Sequence, residues 1–289
     1  MNAVVEPPSA PPQTGRAFAA RIRASLARAM LAECRFCAHN CGVNRLQGPA
    51  GRCQAGAQPR VFSVQTEVTD ELELIPTFAI AFSGCDLRCA FCITGAESWH
   101  AEAGVVFDAP QVAARAVAAL RHGAASVMLL GGEPTIHLPA ALELVAAMPD
   151  DSRLVWKTNA HATAQARELL DGMFDVWVAD FKFGNDRCAR ALAGEGRYLA
   201  VVRENLRWAA EHTELIVRHL LMPGHLECCW RPVAEWLAAE LPGVKVNLRT
   251  GFWPTWQAQR RPELLRGVTA DEEKRALECA ADLGLNLAP

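Results

Sequence analysis

The chain has 289 residues, 51% of them apolar, which is enough to bury one large core or a main domain with a small appendage. Its 29 basic and 32 acidic side chains give a net charge of -3, which excludes an overall electrostatic attraction to nucleic acid or to an anionic membrane. No apolar run reaches the roughly 18 residues of a bilayer span and the first residues lack the apolar segment of a secretory signal, so we expect a soluble, cytoplasmic protein with no nucleic-acid or membrane partner.

The first 33 residues are predicted to form a tail and a basic helix. A proline-rich stretch at 7–12 precedes an arginine- and alanine-rich stretch at 16–32 that contains no acidic residue. Apolar residues recur at helical spacing between Phe18 and Ala29, which predicts an ordinary first helix. An organelle-targeting helix has a similar arginine-rich composition and remains the alternative.

A cysteine-rich module is predicted at residues 34–60. Seven of the eleven cysteines lie between Cys34 and Cys92, and such clustering without a secretory signal favours metal or iron–sulfur ligation over disulfides. The module itself supplies four thiols that could close a tetrahedral site: Cys34, Cys37, Cys41 and Cys53. We favour a structural zinc or a single iron there, with a second, fully ligated iron–sulfur cluster as the alternative.

Four cysteines lie outside the clusters, and we interpret them as small buried apolar residues. They are Cys188, Cys228, Cys229 and Cys279.

Residues 61–289 are predicted to form one α/β domain, a partial (βα)6 parallel barrel. Short β-rich runs alternate there with stretches of helical period, as in βα units around a parallel sheet. The predicted strands are 77–82, 126–130, 153–157, 174–180, 214–221 and 244–248. The predicted helices are 110–121, 138–148, 163–170, 199–212, 231–241 and 270–283, the last with Thr269 as cap and Glu272 completing a capping box.

A three-cysteine motif follows the first of these strands, where parallel βα folds place their chemistry. Its C-x-x-x-C-x-x-C spacing lets one loop direct Cys85, Cys89 and Cys92 at three corners of an iron–sulfur cube, and leaves one iron free to bind another ligand. A structural zinc knot, with His100 or a cysteine of the module as fourth ligand, is the alternative.

The second predicted strand is followed by Gly131, Gly132, Glu133 and Pro134. Adjacent glycines expose backbone to a ligand, and Glu133 offers a carboxylate to an ammonium group. This tetrapeptide is weak by itself, because glycine and proline occur in many strand-to-helix turns. Its position after the neighbouring strand, facing the same edge as the three cysteines, makes the pair of motifs a strong joint signal.

Together these motifs resemble the radical S-adenosylmethionine (SAM) superfamily, most closely the branch of pyruvate formate-lyase activating enzymes and relatives with a C-x-x-C-x-x-x-C-G-V-N-R module. The resemblance runs from about Cys34 to Val246 and includes KTN at 157–159, DFK at 180–182 and the segment 216–225. It implies a [4Fe-4S] cluster on Cys85, Cys89 and Cys92 that cleaves SAM reductively to a 5′-deoxyadenosyl radical, which abstracts hydrogen from a substrate.

The same resemblance implies the residues that bind the cofactors. The expected SAM contacts are Phe91, Gly131, Gly132, Glu133, Thr158, Asn159, Asp180, Lys182 and His219. Five of them have a structural alternative: Phe91 and His219 as core residues, Asn159 as a turn cap, and the pair Asp180 and Lys182 as a surface ion pair.

Three functions remain open on the sequence alone. The chain could activate a glycyl-radical enzyme, modify a small metabolite or peptide by the same chemistry, or be a zinc-binding interaction protein on an inactive barrel. The longer cysteine runs of known glycyl-radical activases are absent from the sequence. An oxygen-sensitive cluster further implies a protein reductant such as flavodoxin or ferredoxin.

Overall fold

The computed structural model describes residues 14–69 and 71–288, so the proline-rich stretch at 7–12 lies outside the described residues. The chain begins there with α1 (Arg16–Ala29), the predicted first helix, followed by a 3-10 turn at Met30–Glu33. Alanines form the buried face of α1, and its arginines contact the rest of the chain. Arg16 Nη1 lies 2.9 Å from Asp175 Oδ2, and Arg28 Nε lies 3.1 Å from Glu143 Oε1.

The described residues form one nine-stranded sheet with the strand order β3-β1-β2-β4-β5-β6-β7-β8-β9. Its strands are β1 (Arg60–Glu67), β2 (Thr77–Phe82), β3 (Val105–Val106), β4 (Ser126–Gly131), β5 (Leu154–Thr158), β6 (Val176–Asp180), β7 (Glu214–Leu220), β8 (Lys245–Arg249) and β9 (Asn286–Leu287). The run from β2 through β9 is parallel, whereas β1 is antiparallel to β2 and β3 is antiparallel to β1.

The predicted fold class is confirmed. All six predicted strands are present as β2 and β4 to β8, with ends shifted by at most two residues, and neighbours in sequence are neighbours in the sheet. The sheet is open, because β3 and β9 are its two edges. The short edge strands β3 and β9 and the antiparallel β1 were not predicted.

The helices after β2 lie in the connections between the strands. They are α2 (Ala96–Trp99), α3 (Ala109–Arg121), α4 (Leu138–Ala147), α5 (Ala164–Leu170), α6 (Asp186–Ala193), α7 (Tyr198–His212), α8 (Arg231–Glu240) and α9 (Ala270–Asp282). The predicted capping box of Thr269 and Glu272 is confirmed at the start of α9. None of the helices in the described part of the chain is long and apolar enough to cross a bilayer.

Side chains on the strands alternate between the outer, helix-covered face and the concave inner face. The inner face carries an apolar layer of Met128, Val155, Val176, Val178 and Ile216, packed against Leu74. Leu74 belongs to a 3-10 turn at Leu72–Leu74 and fills the amino-terminal end of the barrel interior. The inner residues nearer the carboxyl ends of the strands line a cavity and include the charged side chains of Lys157 and Asp180.

Candidate active site

A cavity of about 550 Å³ lies at the carboxyl ends of the parallel strands. Eleven of the twelve residues predicted for the cluster and SAM line it: Cys85, Cys89, Phe91, Cys92, Gly131, Gly132, Glu133, Thr158, Asn159, Asp180 and Lys182. Loops that are far apart in sequence therefore bring these side chains to a single place. The cavity volume is typical of a site for a ligand of cofactor size.

His219 is the predicted contact that does not line this cavity. Its neighbours on β7, Arg218 and Leu220, do line it, so strand alternation turns His219 to the helix-covered face. There its ring packs on Trp230 with centroids 5.1 Å apart, and Nδ1 donates to the Phe181 carbonyl at 2.6 Å. Burial lowers the pKa of His219 to about 4, so its imidazole is neutral at physiological pH.

The segment 83–92, hereafter the cysteine loop, is held in place by backbone hydrogen bonds. The Arg88 and Ala90 N–H groups donate to the carbonyls of Ala193 and Leu192 at 3.0 and 2.7 Å, which ties the loop to the end of α6. Arg88 also donates from Nη1 to the Cys85 carbonyl at 2.6 Å. Two of the three thiols, those of Cys85 and Cys89, are buried.

Burial raises the pKa of the Cys89 thiol to about 12, and burial together with the Asp86 charge raises that of Cys85 well above its usual range. These thiols are therefore protonated without a metal, and ligation must displace their protons.

The turn formed by Gly131, Gly132 and Glu133, hereafter the glycine turn, packs directly on the cysteine loop. The Gly132 N–H donates to the Phe82 carbonyl at 2.8 Å, and the Glu133 N–H donates to the Gly84 carbonyl at 2.9 Å. A Cβ on Gly132 would lie 1.9 Å from the Gly84 oxygen, and Gly131 has a φ of +120°. The glycines thus permit close contact between two backbones in addition to facing the cavity.

Glu133 is buried and connects the loops that follow β4 and β5. Oε1 accepts from the Thr158 hydroxyl at 2.8 Å and from the Thr135 hydroxyl at 2.6 Å, while Oε2 accepts from the Asn159 N–H at 2.7 Å. Burial, together with the Asp86 charge, raises the pKa of Glu133 to about 7. The carboxylate therefore fixes the position of Thr158 and Asn159 at the cavity wall.

The Asp86 carboxylate, which was not predicted as a site residue, is the centre of a buried network behind the cysteine loop. Asn159 Nδ2 donates to Asp86 Oδ1 at 2.7 Å and lies 3.8 Å from Cys85 Sγ. His161 Nδ1 lies 2.7 Å from Asp86 Oδ2. Burial opposes the charge on both groups, but their mutual attraction raises the pKa of His161 and lowers that of Asp86.

Asp180 and Lys182 form an ion pair at the cavity wall. Burial opposes ionisation of both side chains, but each stabilises the charge of the other, so the pKa of Asp180 is lowered and that of Lys182 is raised. A second pair lies nearby, where Lys157 Nζ is 3.0 Å from Glu71 Oε2. The cavity thus offers cations and carboxylates within one polar layer.

The amino-terminal module contacts this site through Arg45 and His39. The buried Arg45 guanidinium donates to the carbonyls of Ala55, Gly56 and Ile136 at 2.9, 2.8 and 2.6 Å. His39 Nε2 lies 3.0 Å from the Asp86 carbonyl oxygen. The module is therefore joined to the cysteine loop and to the turn that follows the glycine turn.

The four thiols of the module lie near one another, and Cys34, Cys37 and Cys53 are buried. Among the described residues, no three of these sulfurs lie within 4.8 Å of one another. A metal site at these cysteines stays a prediction.

His137 connects the glycine turn to β2, because its Nε2–H donates to the Ser83 carbonyl at 2.7 Å. Burial, and then the charge of Arg45, lower its pKa to about 3. The pKa of His137 is lower in the folded protein than the unfolded value of about 6.5. Its contribution to the free energy of unfolding is therefore complete above pH 6.5 and is lost as the pH falls toward 3.

We therefore expect the metal-free protein to lose about 2 kcal/mol of unfolding free energy between pH 7 and pH 5 through His137. Urea titrations of the wild type and of His137→Gln measure this contribution. The loss over that pH interval should be smaller in the variant by about the same amount. Equal losses in the two proteins would contradict the assignment to His137.

An open parallel barrel with three thiols and a glycine turn at one cavity is the architecture of a SAM-cleaving enzyme. The family model of the radical SAM superfamily matches residues 80–237, and the chain belongs to this superfamily. Its members use a [4Fe-4S] cluster and SAM. The structure fits this chemistry, because all three thiols of the cysteine loop line the cavity.

Two protein relatives match the sequence. The chain is 30% identical over 277 residues to the uncharacterized protein MJ0674 of Methanocaldococcus jannaschii. The alignment covers 92% of this chain and 79% of that protein. It is also 30% identical over 103 residues to 7-carboxy-7-deazaguanine synthase of Methanothermobacter thermautotrophicus. This alignment covers 36% of this chain and 40% of the synthase.

The fold is similar to that of SuiB from Streptococcus suis. SuiB bound to the precursor peptide SuiA matches with a TM-score of 0.56 and 17% identity, covering 71% of this chain and 46% of SuiB. SuiB bound to S-adenosylmethionine matches with a TM-score of 0.55 and 17% identity, covering 71% of this chain and 47% of SuiB. This chain thus spans less than half the length of SuiB.

Proposed function

We propose that Cys85, Cys89 and Cys92 bind the [4Fe-4S] cluster and that the amino and carboxylate groups of SAM bind its fourth iron. One observation carries this assignment: all three thiols line the same cavity as the glycine turn. A structural zinc site would instead be closed by four protein ligands.

When bound to these three cysteines, the cluster would supply the electron for reductive cleavage of the sulfonium C–S bond of SAM to a 5′-deoxyadenosyl radical. The protein's own residues position the cofactor. We expect Glu133 and the glycine turn to bind the amino group of SAM, and Thr158 and Asn159 to bind its carboxylate or ribose. All of them line the cavity, as do Asp180, Lys182 and Phe91, which we expect to complete the SAM site.

We propose further that the substrate is a protein or peptide segment, as in the activation of a glycyl-radical enzyme. The support is an apolar rim, since Ile93 and Trp253 line the cavity and are 86% and 76% exposed. Exposed apolar groups at the mouth of a cavity are typical of a surface that another macromolecule covers. The solved structure of SuiB with its precursor peptide is compatible with this substrate class.

A small-molecule substrate is the second candidate, and the partial match to 7-carboxy-7-deazaguanine synthase supports it. An inactive barrel that only binds zinc is disfavoured, because the complete set of cysteines and Glu133 lines the cavity.

Anaerobic reconstitution with iron and sulfide tests the first step. We expect brown protein that releases 5′-deoxyadenosine from SAM when dithionite, or reduced flavodoxin or ferredoxin, supplies electrons. A reconstituted protein that binds four irons but leaves SAM intact would contradict the proposal.

The substrate class can then be separated by what stimulates this release. A co-purifying protein that acquires a glycine-centred radical signal in electron paramagnetic resonance supports activation of a glycyl-radical enzyme. Stimulation by a protein-free metabolite extract alone supports the second candidate.

A further inference from the structure

A second group of metal-binding side chains lies outside the cavity, at the loops that follow β6 and β7. It consists of Cys188 in α6 and of His225, Cys228 and Cys229, which lie at and within a π-helical turn at Leu226–Trp230. The four potential ligand atoms all lie within 4.8 Å of one another. We call this group the Cys3His cluster.

The separations within the Cys3His cluster are those of a single tetrahedral ion. The sulfur of Cys228 lies 3.9 Å from that of Cys188 and 4.0 Å from that of Cys229. His225 Nδ1 lies 3.3 Å from Cys228 Sγ and 3.5 Å from Cys229 Sγ. A zinc ion with bonds of about 2.3 Å to sulfur and 2.0 Å to nitrogen separates sulfurs by about 3.8 Å and sulfur from nitrogen by about 3.5 Å.

We propose that Cys188, His225, Cys228 and Cys229 bind one Zn²⁺ ion. Three thiolates and an imidazole are a common ligand set of structural zinc, and four protein ligands leave no position for a substrate. A disulfide explains the arrangement less well. It would join only two of the three sulfurs, at about 2.05 Å, and would leave the third thiol and the imidazole without a role.

The surrounding groups suit bound thiolates. Asn185 Nδ2 donates to Cys188 Sγ at 3.3 Å and to the Cys228 carbonyl at 2.6 Å. Such outer hydrogen bonds orient zinc ligands and stabilise their negative charge. A Cβ on Gly184 would lie 2.4 Å from the Cys229 carbonyl, so the close approach of the two loops requires glycine.

Burial is graded across the Cys3His cluster. Cys188 and Cys229 are buried, whereas His225 and Cys228 are half-buried and give an ion a route from solvent. The ion would join the start of α6 to the turn that precedes α8. The carbonyls at the end of α6 accept hydrogen bonds from the cysteine loop, so zinc would also stabilise the helix that holds this loop in place.

The test is the metal content of the full-length protein, purified under reducing conditions and compared with two serine variants. Cys228→Ser removes a ligand, and Cys279→Ser is the matched control, because Cys279 is a buried cysteine of α9 outside every cluster. We expect Cys228→Ser to contain one zinc equivalent fewer than the wild type, and Cys279→Ser to contain the same amount. Zinc bound at the amino-terminal module would be common to all three proteins and cancels in this comparison.

Equal zinc content in Cys228→Ser and the wild type would overturn the proposal. So would a disulfide within the Cys3His cluster that persists in protein purified under reducing conditions. A second variant, His225→Gln, covers the case in which Cys228→Ser does not fold, since His225 lies at the half-buried edge. Titration with Co²⁺ should show altered visible d–d bands in His225→Gln, because the imidazole ligand is lost, and an affinity at least about tenfold lower than in the wild type. Identical cobalt spectra and affinities would overturn the proposal independently of SAM cleavage.

Discussion

Cys89→Ala should fold but should form no 5′-deoxyadenosine from SAM. The side chain is buried, and replacing its –SH group by hydrogen costs only about 1 kcal/mol of stability. The expected loss of activity is complete, because one corner of the cluster loses its protein ligand and the cluster is no longer held in the geometry that binds SAM.

The measurement is 5′-deoxyadenosine formed by the reconstituted protein with dithionite, together with bound iron and the circular dichroism spectrum. Cys279→Ala is the matched control, since it makes the same chemical change at a buried cysteine of α9 and should keep wild-type turnover. Wild-type turnover in Cys89→Ala would refute the assignment of the cluster to the cysteine loop.

The second large effect is expected for Gly132→Ala. The added Cβ would lie 1.9 Å from the oxygen and 2.6 Å from the carbonyl carbon of Gly84, and both are backbone atoms that no rotamer change can move. The glycine turn and the cysteine loop must therefore separate. We expect destabilisation of about 3 kcal/mol, the upper part of the range for overpacking, and a strong loss of iron incorporation.

Urea unfolding and iron content of the reconstituted protein measure the two effects. Gly267→Ala is the control, because the nearest atom to its added Cβ, the Phe252 carbonyl oxygen, lies 3.6 Å away in ordinary contact. If Gly132→Ala had the stability and iron content of the Gly267→Ala control, the close backbone contact would not support the cluster.

The parallel strands could be predicted because each is a short run of apolar and β-branched residues with helical periodicity on either side. β1 was missed because only Val61 in its sequence is buried, so Arg60–Glu67 lacks the signal of a core strand. α6 was missed because it has only eight residues. Its start does carry a signal in the sequence, the N-cap residue Asn185, whose side chain accepts from the Cys188 N–H. The division of the chain at residues 33 and 60 stays a prediction.

The parts of the candidate site that lie within contiguous motifs could be predicted from the sequence. The parts formed by contacts between residues far apart in the sequence could not. Asp86 lies within the cysteine motif, but its partner His161 is 75 residues away, so its role depends on tertiary contact. The same reason hid the Cys3His cluster, since Cys188 contacts Cys228 only in the folded chain. His219 was expected at the cavity because of its motif. Strand alternation indicates otherwise, because its neighbours Arg218 and Leu220 face the cavity and His219 therefore faces the helices.

The contacts between the amino-terminal module and the cysteine loop have an electrochemical consequence. Ala38 N–H donates to the His161 carbonyl at 2.8 Å, and His39 lies against Asp86, which is adjacent to Cys85. A change of charge in the module, by ion binding or by protonation of His39, would therefore act on the cysteine loop over a short distance in a low-dielectric interior. Nearby charges and hydrogen bonds set the reduction potential of an iron–sulfur centre. With the cluster bound at the cysteine loop, as we propose, the module would therefore tune how readily the enzyme accepts its electron.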